Sequence, residues 1–497
     1  MNYAFSIGET IAKVNDAVNG FVWGIPMLLL LIGTGVFFTI RTKFFQIGKW
    51  KLWQGETILA IFKKKSVRKS GSKASISQFQ ALTTALAATI GTGNIAGVAT
   101  AITIGGAGAV FWMWVSAFFG MMTNYAENVL GIYFRRRNEK GEWSGGAMYY
   151  IENGFRNKKF LRHIGKPLAC IFSVFCVCAS FGIGNMSQIN SISVSMQSSF
   201  SIPPLVTGIV LAAVLALVIL GGIQRIARVA ERIVPFMAVL YMVGTIIIVI
   251  MNIRQIPSVI VDIFRGAFGV DAVAGGISGV LIKEAMTWGF KRGVFSNEAG
   301  LGSSVMVHSA SNVKEPVRQG MWGIFEVFFD TFVICSLTAF TVLTTGVVGS
   351  VDAAGKLVEG VPLVSMAFAQ SFHDAAGWFV TIAVLLFAFT TVLGWSFYGS
   401  KALEYLFGQK AVIVYKIIFI AFAVMGATMD LSLAWDISDT LNGLMAIPNL
   451  IGVLVLSGTV MAITKNYLAR RRGESLPPLY SAYPDIQAAQ EQAPEED

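Results

Sequence analysis

The segment Thr83 to Phe111 (TTALAATIGTGNIAGVATAITIGGAGAVF) is apolar enough to cross a bilayer, yet Gly91-Thr92-Gly93-Asn94 interrupts it in the middle. In hydrocarbon every backbone N–H and C=O must be satisfied within the protein. A membrane helix can therefore open only where the freed groups meet protein, water or a ligand. Secondary transporters use interrupted helices of this kind to hold substrate and ion near the bilayer midplane. A transporter is the expectation this segment raises.

Composition agrees with that class. Of 497 residues, 55% are hydrophobic and 13% charged, and the mean hydropathy is +0.65. A soluble chain carries roughly 25% charged residues. Apolar runs of about 20 residues, long enough to span ~30 Å of hydrocarbon, recur along the chain. An all-α polytopic membrane protein with about eleven transmembrane helices is expected, at 21–40, 78–104, 108–134, 167–197, 203–222, 229–252, 274–306, 319–346, 377–407, 411–428 and 433–464. Residues 1–20 contain Glu9 and Asp16 but no basic-then-apolar leader, so no cleavable signal peptide is expected. Cys170, Cys176, Cys178 and Cys335 lack metal-ligand spacing and are expected as small core residues.

Lysine and arginine orient the spans. Lys63-Lys64-Lys65, Arg68, Lys69 and Lys73, then Arg135-Arg136-Arg137, Arg225, Arg228 and Arg232, Lys314 and Arg318, and Arg470-Arg471-Arg472 all follow odd-numbered spans. The intervening loops are neutral or acidic, with Asp352, Glu359, Asp374, Asp430, Asp436 and Asp439. A plasma-membrane protein with its amino terminus outside and its carboxyl terminus in the cytoplasm is expected. The net charge of +10 is then a topology signal and does not call for a nucleic-acid partner. Nothing in the sequence calls for a protein partner. Residues 477–497, rich in Pro, Ala, Gln and Glu, are expected to be a disordered tail.

Opening the second span at 91–94 exposes N–H groups and partial positive charge on one half-helix, and carbonyls with partial negative charge on the other. A zwitterion fits that pair, with its carboxylate on the N–H side of the half beginning near Gly93 and its ammonium on the carbonyl side. A sodium ion also fits the carbonyl end, and Asn94 brings an amide that can coordinate a cation. A glycine-rich packing helix is the alternative for this segment. A second interruption is expected near 289–300, at Gly289 to Gly300. Five spans separate the two, which suits an inverted five-plus-five repeat with span one outside it. The corresponding divisions are 1–76 (amino-terminal helix and basic loop), 77–252 (first repeat), 253–466 (second repeat) and 467–497 (tail). Lys291, Arg292 and Glu298 are expected towards the cytoplasmic end, in a gate or simply at the start of a loop.

Other polar groups sit within apolar runs. Thr390 and Thr391 could complete an oxygen cage for sodium, or bond their own i−4 carbonyls. Trp395, one turn on, could wall a small pocket. Asp330 near the middle of span eight is a candidate for cation or proton coupling, with Glu326 nearer water. Asn185 and Gln188 share a face of span four, available for interhelical bonding or substrate contact. Glu127 could brace the broken helices. His163, His308 and His373 are scattered, mostly in loops, and form no catalytic constellation, so no enzyme is expected.

The run Phe79-Gln80-Ala81-Leu82 through Ala87-Ala88-Thr89-Ile90-Gly91-Thr92-Gly93-Asn94-Ile95-Ala96-Gly97, with Gly105-Gly106-Ala107-Gly108, resembles the alanine/glycine:cation symporter family. So do Gly145-Gly146-Ala147-Met148-Tyr149-Tyr150 and Lys291-Arg292-Gly293-Val294-Phe295-Ser296-Asn297-Glu298-Ala299-Gly300. The resemblance implies sodium-coupled, in some members proton-coupled, uptake of alanine or glycine, without a cofactor. It also implies the LeuT-like inverted-repeat fold of neurotransmitter:sodium symporters plus one extra amino-terminal helix. By the same resemblance, the amides of Thr92 and Gly93, with Gly91, receive the substrate carboxylate, and the carbonyls near Thr89 receive the ammonium. Carbonyls of Ala87 and Ile90 with the hydroxyls of Thr390 and Thr391 look like the sodium site. Asn94 and Asp330 stand where some relatives place a second ion, and Thr391 and Trp395 look like pocket residues. Asp330 departs from the amide common in that wider fold, which leaves a proton or structural role open.

Overall fold

The computed structural model of the chain describes residues 2–70, 72, 74–156, 158–269, 278–429 and 432–493. Lys73, positions 274–277 of the expected seventh span, Asp430 and the last four residues lie outside them.

Helix α1 (Asn2–Val22) passes through Trp23-Gly24 into α2 (Ile25–Arg41), where Pro26 occupies the first turn and its missing N–H costs nothing. Four short helices follow: α3 (Phe45–Gly48), α4 (Trp50–Glu56), α5 (Ile58–Lys63) and α6 (Lys65–Arg68). They mix lysines with exposed Ile47, Leu59 and Phe62, the composition of segments lying in a membrane interface. Helix α7 (Gln78–Thr89) starts at a capping box, in which Ser77 Oγ accepts from Gln80 N and Gln80 Oε1 from Ser77 N, both at 3.1 Å. It breaks at 90–92 and resumes as a π-helical turn, Gly93–Gly97, leading into α8 (Val98–Gly105) at 53°.

Helix α9 (Gly108–Tyr133) returns to a two-residue hairpin, β1 (Arg136–Arg137) with β2 (Trp143–Ser144). After α10 (Ala147–Arg156), α11 (Arg162–Phe181) continues through a π-helical turn, Gly182–Met186, into α12 (Ser187–Phe200). Then come α13 (Pro204–Ile219), α14 (Gly222–Met251) and α15 (Ile256–Phe268). The second half holds α16 (Ser278–Asn297), α17 (Val305–His308) and α18 (Pro316–Val327), the last joined by a π-helical stretch, Phe328–Cys335, to α19 (Ser336–Thr344). The chain ends with α20 (Gly360–Phe372), α21 (Ala375–Phe407), α22 (Ala411–Thr428), α23 (Ser432–Val455), α24 (Ser457–Arg471) and α25 (Pro484–Gln492).

This is an all-helical, polytopic membrane protein. Seven described helices, counting Thr10–Arg41 as one, and the bent α7/α8 pair have the length and apolarity to cross a bilayer. Three more expected spans are present as helices outside that set. Helix α9 buries a polar face of Asn124, Glu127 and Asn128, α13 is only 16 residues long, and α16 carries Lys291 and Arg292. The last expected span, 433–464, divides at Leu456 into the apolar α23 and the polar α24.

The tail also differs from expectation through Ala493. Helix α25 closes back on Pro478 through Gln487 Nε2 (2.7 Å), Ala482 N donates to Tyr133 O (2.9 Å), and Lys314 Nζ donates to Ala493 O (2.7 Å). Polar composition hid the tail's aromatic anchors, Tyr480 and Tyr483, which lie against Arg470 and Arg136. Of the four cysteines, Cys176 and Cys335 are buried in the core but Cys178 is exposed.

Helix α9 is the hub, packed against α2, α16 and α18, while α21 packs against α7, α11 and α12. The broken helix runs from a basic face, where Gln78 borders Lys63, Arg318 and Arg470, to an acidic face with Glu359 and Asp439. Lys291 and Arg292 line the cavity on that acidic face, not the basic one expected for them. The reason is the chain direction of α16, which reaches the basic face only after its break.

Candidate substrate and ion site

The first break is made by two side chains. In a continuous helix the amides of Gly91 and Thr92 would go to the carbonyls of Ala87 and Ala88. Here Gly91 N donates to Asn94 Oδ1 (2.9 Å), and Thr92 N and Oγ1 donate to Gln188 Oε1 (3.4 and 3.0 Å). Those two carbonyls are thereby released at the carboxyl end of α7. Side-chain amide oxygens thus take up both N–H groups freed by the break.

Asn94 has a second role. Its Nδ2 donates to Asp330 Oδ1 (2.6 Å), while Ser296 Oγ (2.8 Å) and Thr331 Oγ1 (2.9 Å) donate to Asp330 Oδ2. Asp330, fully buried, thus links the first break to α16 just before the second. It sits in the π-helical stretch 328–335, where a widened turn projects the side chain between the two. Cys335 Sγ lies 3.2 Å from Ser296 Oγ and 3.4 Å from Asn94 Nδ2.

The second break lies later than expected. Helix α16 stays helical from Gly289 through Asn297, and the chain unwinds over 298–304. Positive φ at Glu298 (57°), Gly300 (93°) and Gly302 (73°) marks it. Such values suit glycine and strain glutamate, so Glu298 is held there by its surroundings, including Ser303 Oγ, which donates to Glu298 Oε2 (2.5 Å). Asn449 Nδ2 braces this break by donating to Gly300 O (2.9 Å) and to Glu127 Oε1, and Tyr150 OH donates to Asn449 Oδ1. Glu326 is fully buried rather than near water, and His308 is fully buried in α17 rather than in a loop. They meet at 2.8 Å (Nε2 to Oε2), and Gln319 Nε2 contacts His308 Nδ1 at 2.5 Å.

Between the breaks lies a small cavity of about 20 Å³ lined by Ala88, Thr89, Gly91, Gly93, Ile183, Gln188, Phe295, Glu298, Trp395 and Asn442. That is room for about one water. Of these, the sequence points to Thr89, Gly91, Gly93, Gln188 and Trp395; it does not single out Phe295 and Asn442, and it puts Glu298 in a gate or at the start of a loop. The one signal for Glu298 was an ionisable residue inside a membrane segment.

Thr391 faces the first break closely, since a β-carbon on Gly91 would fall 2.4 Å from its Oγ1. Its hydroxyl donates to Phe387 O (3.0 Å). Thr390 Oγ1 bonds Leu386 O and Phe387 O (both 3.0 Å) and lies 3.4 Å from Met237 Sδ on α14. Ala87 and Ile90 are fully buried at the end of α7. On the acidic side a second cavity of about 400 Å³ shares Gly93 and Phe295 with the first. Lys291 Nζ pairs there with Asp439 Oδ2 at 2.6 Å.

A family model described as the sodium:alanine symporter family matches residues 8–480. The chain belongs to the sodium:alanine symporter family. It is a transporter and not an enzyme. It is 46% identical to the sodium/alanine symporter AgcS of Methanococcus maripaludis over 94% of this chain and 99% of that one. It is 37% identical to the putative sodium/proton-dependent alanine carrier protein YrbD of Bacillus subtilis (93% and 94%). The probable sodium/glutamine symporter GlnT of the same organism is 35% identical (95% and 94%). Among solved structures, a manganese transporter of Eremococcus coleocola is similar at 11% identity over 83% of each chain, with a TM-score of 0.49.

Proposed function

We propose that this chain imports a small neutral amino acid, alanine and also glycine, by symport with sodium through alternating access. The observation that carries this reading is the pair of breaks closing on one small cavity. The Gly91 and Thr92 amides, now held by Asn94 and Gln188, are set to take the substrate carboxylate when those side chains turn away, with Gly93 beside them. The ammonium then lies towards the carbonyl end at Thr89 and the carboxylate of Glu298. Trp395 and Phe295 wall that cavity and set the limit on side-chain size. The names of the Methanococcus and Bacillus relatives support alanine and sodium.

Sodium is assigned to the released carbonyl of Ala87, the carbonyl of Ile90 and the hydroxyls of Thr391 and, after rotation from its present bonds, Thr390. Such hard cations take oxygen ligands. Asn94 and Asp330 form the second candidate position. Because Asp330 is buried and links the first break to α16, proton coupling through it is the competing reading, and a relative named as sodium/proton-dependent agrees with it. The basic face is assigned to the cytoplasm, and the Lys291–Asp439 pair with Phe295 to the outer closure of the pocket.

Uptake of labelled alanine into proteoliposomes tests this. Accumulation driven by an inward sodium gradient, and lost in Thr391→Val, supports sodium symport. Equal accumulation under a proton gradient alone, lost in Asp330→Asn, transfers coupling to Asp330. Absence of accumulation under any gradient refutes the substrate assignment.

A further inference from the structure

A cavity of about 640 Å³ opens on the basic face between the end of α2 and α24, away from the transport site. Five cations line it: Arg41, Lys43, Lys49, Lys465 and Arg472. Among the described residues no carboxylate does. Its other walls are largely apolar, with Phe45, Met461, Leu468 and Leu479.

The contrast with the neighbouring cavity across α24 is informative. There the chain supplies its own anions: Glu56 takes Lys64, Arg318 and Arg471 (3.4, 3.4 and 2.5 Å), and Glu315 pairs with Arg470. In the α2/α24 cavity, among the described residues, only Arg472 has an acidic partner, the exposed Glu474 (2.7 Å). Arg41 lies over the Phe37 ring, and Lys43, Lys49 and Lys465 enter no ion pair among the described residues. Cations gathered in a groove with low-dielectric walls repel one another and focus a field that draws in an anion.

The position of the groove says what kind of anion. Ile40, Phe44, Ile47 and Trp50 are 60%, 49%, 60% and 41% exposed around this end of α2, as expected of side chains facing acyl chains and headgroups. Lys43 and Phe44 are consecutive non-glycine residues with φ of 57° and 54°. That strained turn places Lys43 in the cavity and leaves Phe44 outside it. Charge on the rim, apolar walls below and a mouth at the interface match one occupant.

We propose that this groove binds an anionic phospholipid, its phosphate held by Lys43, Lys49 and Lys465 and an acyl chain lying along Met461 and Leu468. The lipid ties the added helix α2 to α24 and supplies the negative charge that the described lining residues lack. Basic pockets between membrane helices at a cytoplasmic surface suit such headgroups. The proposal does not depend on which substrate or ion is carried.

Thermal unfolding of the purified full-length protein in detergent tests it, with added phosphatidylglycerol, phosphatidylcholine of the same chains, or inorganic phosphate. Phosphatidylglycerol alone is expected to raise the melting temperature in a saturable way. In the Lys43→Gln/Lys465→Gln variant the apparent affinity falls roughly thirtyfold, the loss expected for two cations at a membrane surface. An equal effect of phosphatidylcholine, a full effect of inorganic phosphate, or an unchanged response of the variant overturns the proposal. Should that variant not fold, native mass spectrometry of the unmutated protein in equal amounts of the two lipids decides. Preferential retention of phosphatidylglycerol, weakened by salt, supports the site; equal retention refutes it.

Discussion

Gly91→Ala probes the join between the first break and α21. The added methyl carbon would stand 2.4 Å from Thr391 Oγ1, about 1 Å inside ordinary contact, in a cavity of only about 20 Å³. Two responses are open. If the backbone of α7 or α21 shifts, overpacking of this kind costs ~1–3 kcal/mol. If Thr391 rotates instead, it forfeits its 3.0 Å bond to Phe387 O, at ~1 kcal/mol. The cheaper route wins, so the cost is at least ~1 kcal/mol, or roughly fivefold in an equilibrium constant. Because that route moves the hydroxyl assigned to sodium, the penalty falls on ion affinity. Alanine uptake into proteoliposomes as a function of sodium should show half-saturation raised about fivefold or more, with thermal stability lowered by no more than the same ~1–3 kcal/mol. Once Thr391→Ala has removed the struck oxygen, adding Gly91→Ala should change little further. Unaltered sodium dependence in Gly91→Ala, or fully additive effects of the two substitutions, would refute the reasoning.

Three further outcomes are expected. Asp330→Asn replaces an acceptor of three hydrogen bonds by a group carrying its own N–H donors. It should cost ~1.5–3 kcal/mol and lower uptake at least tenfold, as measured in the same vesicles. Lys291→Gln leaves Asp439 without its 2.6 Å partner. Uptake should fall several-fold, and Lys291→Gln with Asp439→Asn should recover part of it; no recovery would show that the pair does not act as a unit.

The third concerns Glu56. Burial alone would raise its pKa, but Arg318, Arg471 and Lys64 outweigh burial and hold it below the ordinary 4.5. A carboxylate with a depressed folded-state pKa adds stability that is full above the unfolded value and fades as pH falls through the folded one. The melting-temperature gap between the unmutated protein and Glu56→Gln should therefore be constant above about pH 4.5 and shrink below it. A gap that widens in acid would contradict the sign.

Membrane class, the first interruption and the grouping of basic loops were legible in sequence because they depend on local composition. Gly91-Thr92-Gly93-Asn94 is weak as a continuous helix wherever it is placed, and hydrocarbon exposure penalises the rest of Thr83–Phe111 in any other form. The second break was legible only roughly. Gly289 and Gly293 are tolerated inside α16, while the unwinding at 298–304 depends on Asn449, Glu127 and Ser303, which are distant in sequence or conformationally contingent.

Lys291 and Arg292 show the same division. Their charge suggested a cytoplasmic gate or the start of a loop, but a cavity facing Asp436, Asp439 and Glu359 keeps them on a helix at the acidic face. Sequence by itself determined that this chain lives in a bilayer and opens a helix there. The tertiary structure decided which groups meet at the opening. Gln188, Glu298 and Trp395 converge on a cavity, and Asp330 on Asn94 of the first break, through widened turns at 93–97, 182–186 and 328–335, together with the unwound segment after α16. Those turns shift side-chain direction by a fraction of a helical turn, and that shift is set by packing between helices rather than by the residues within them.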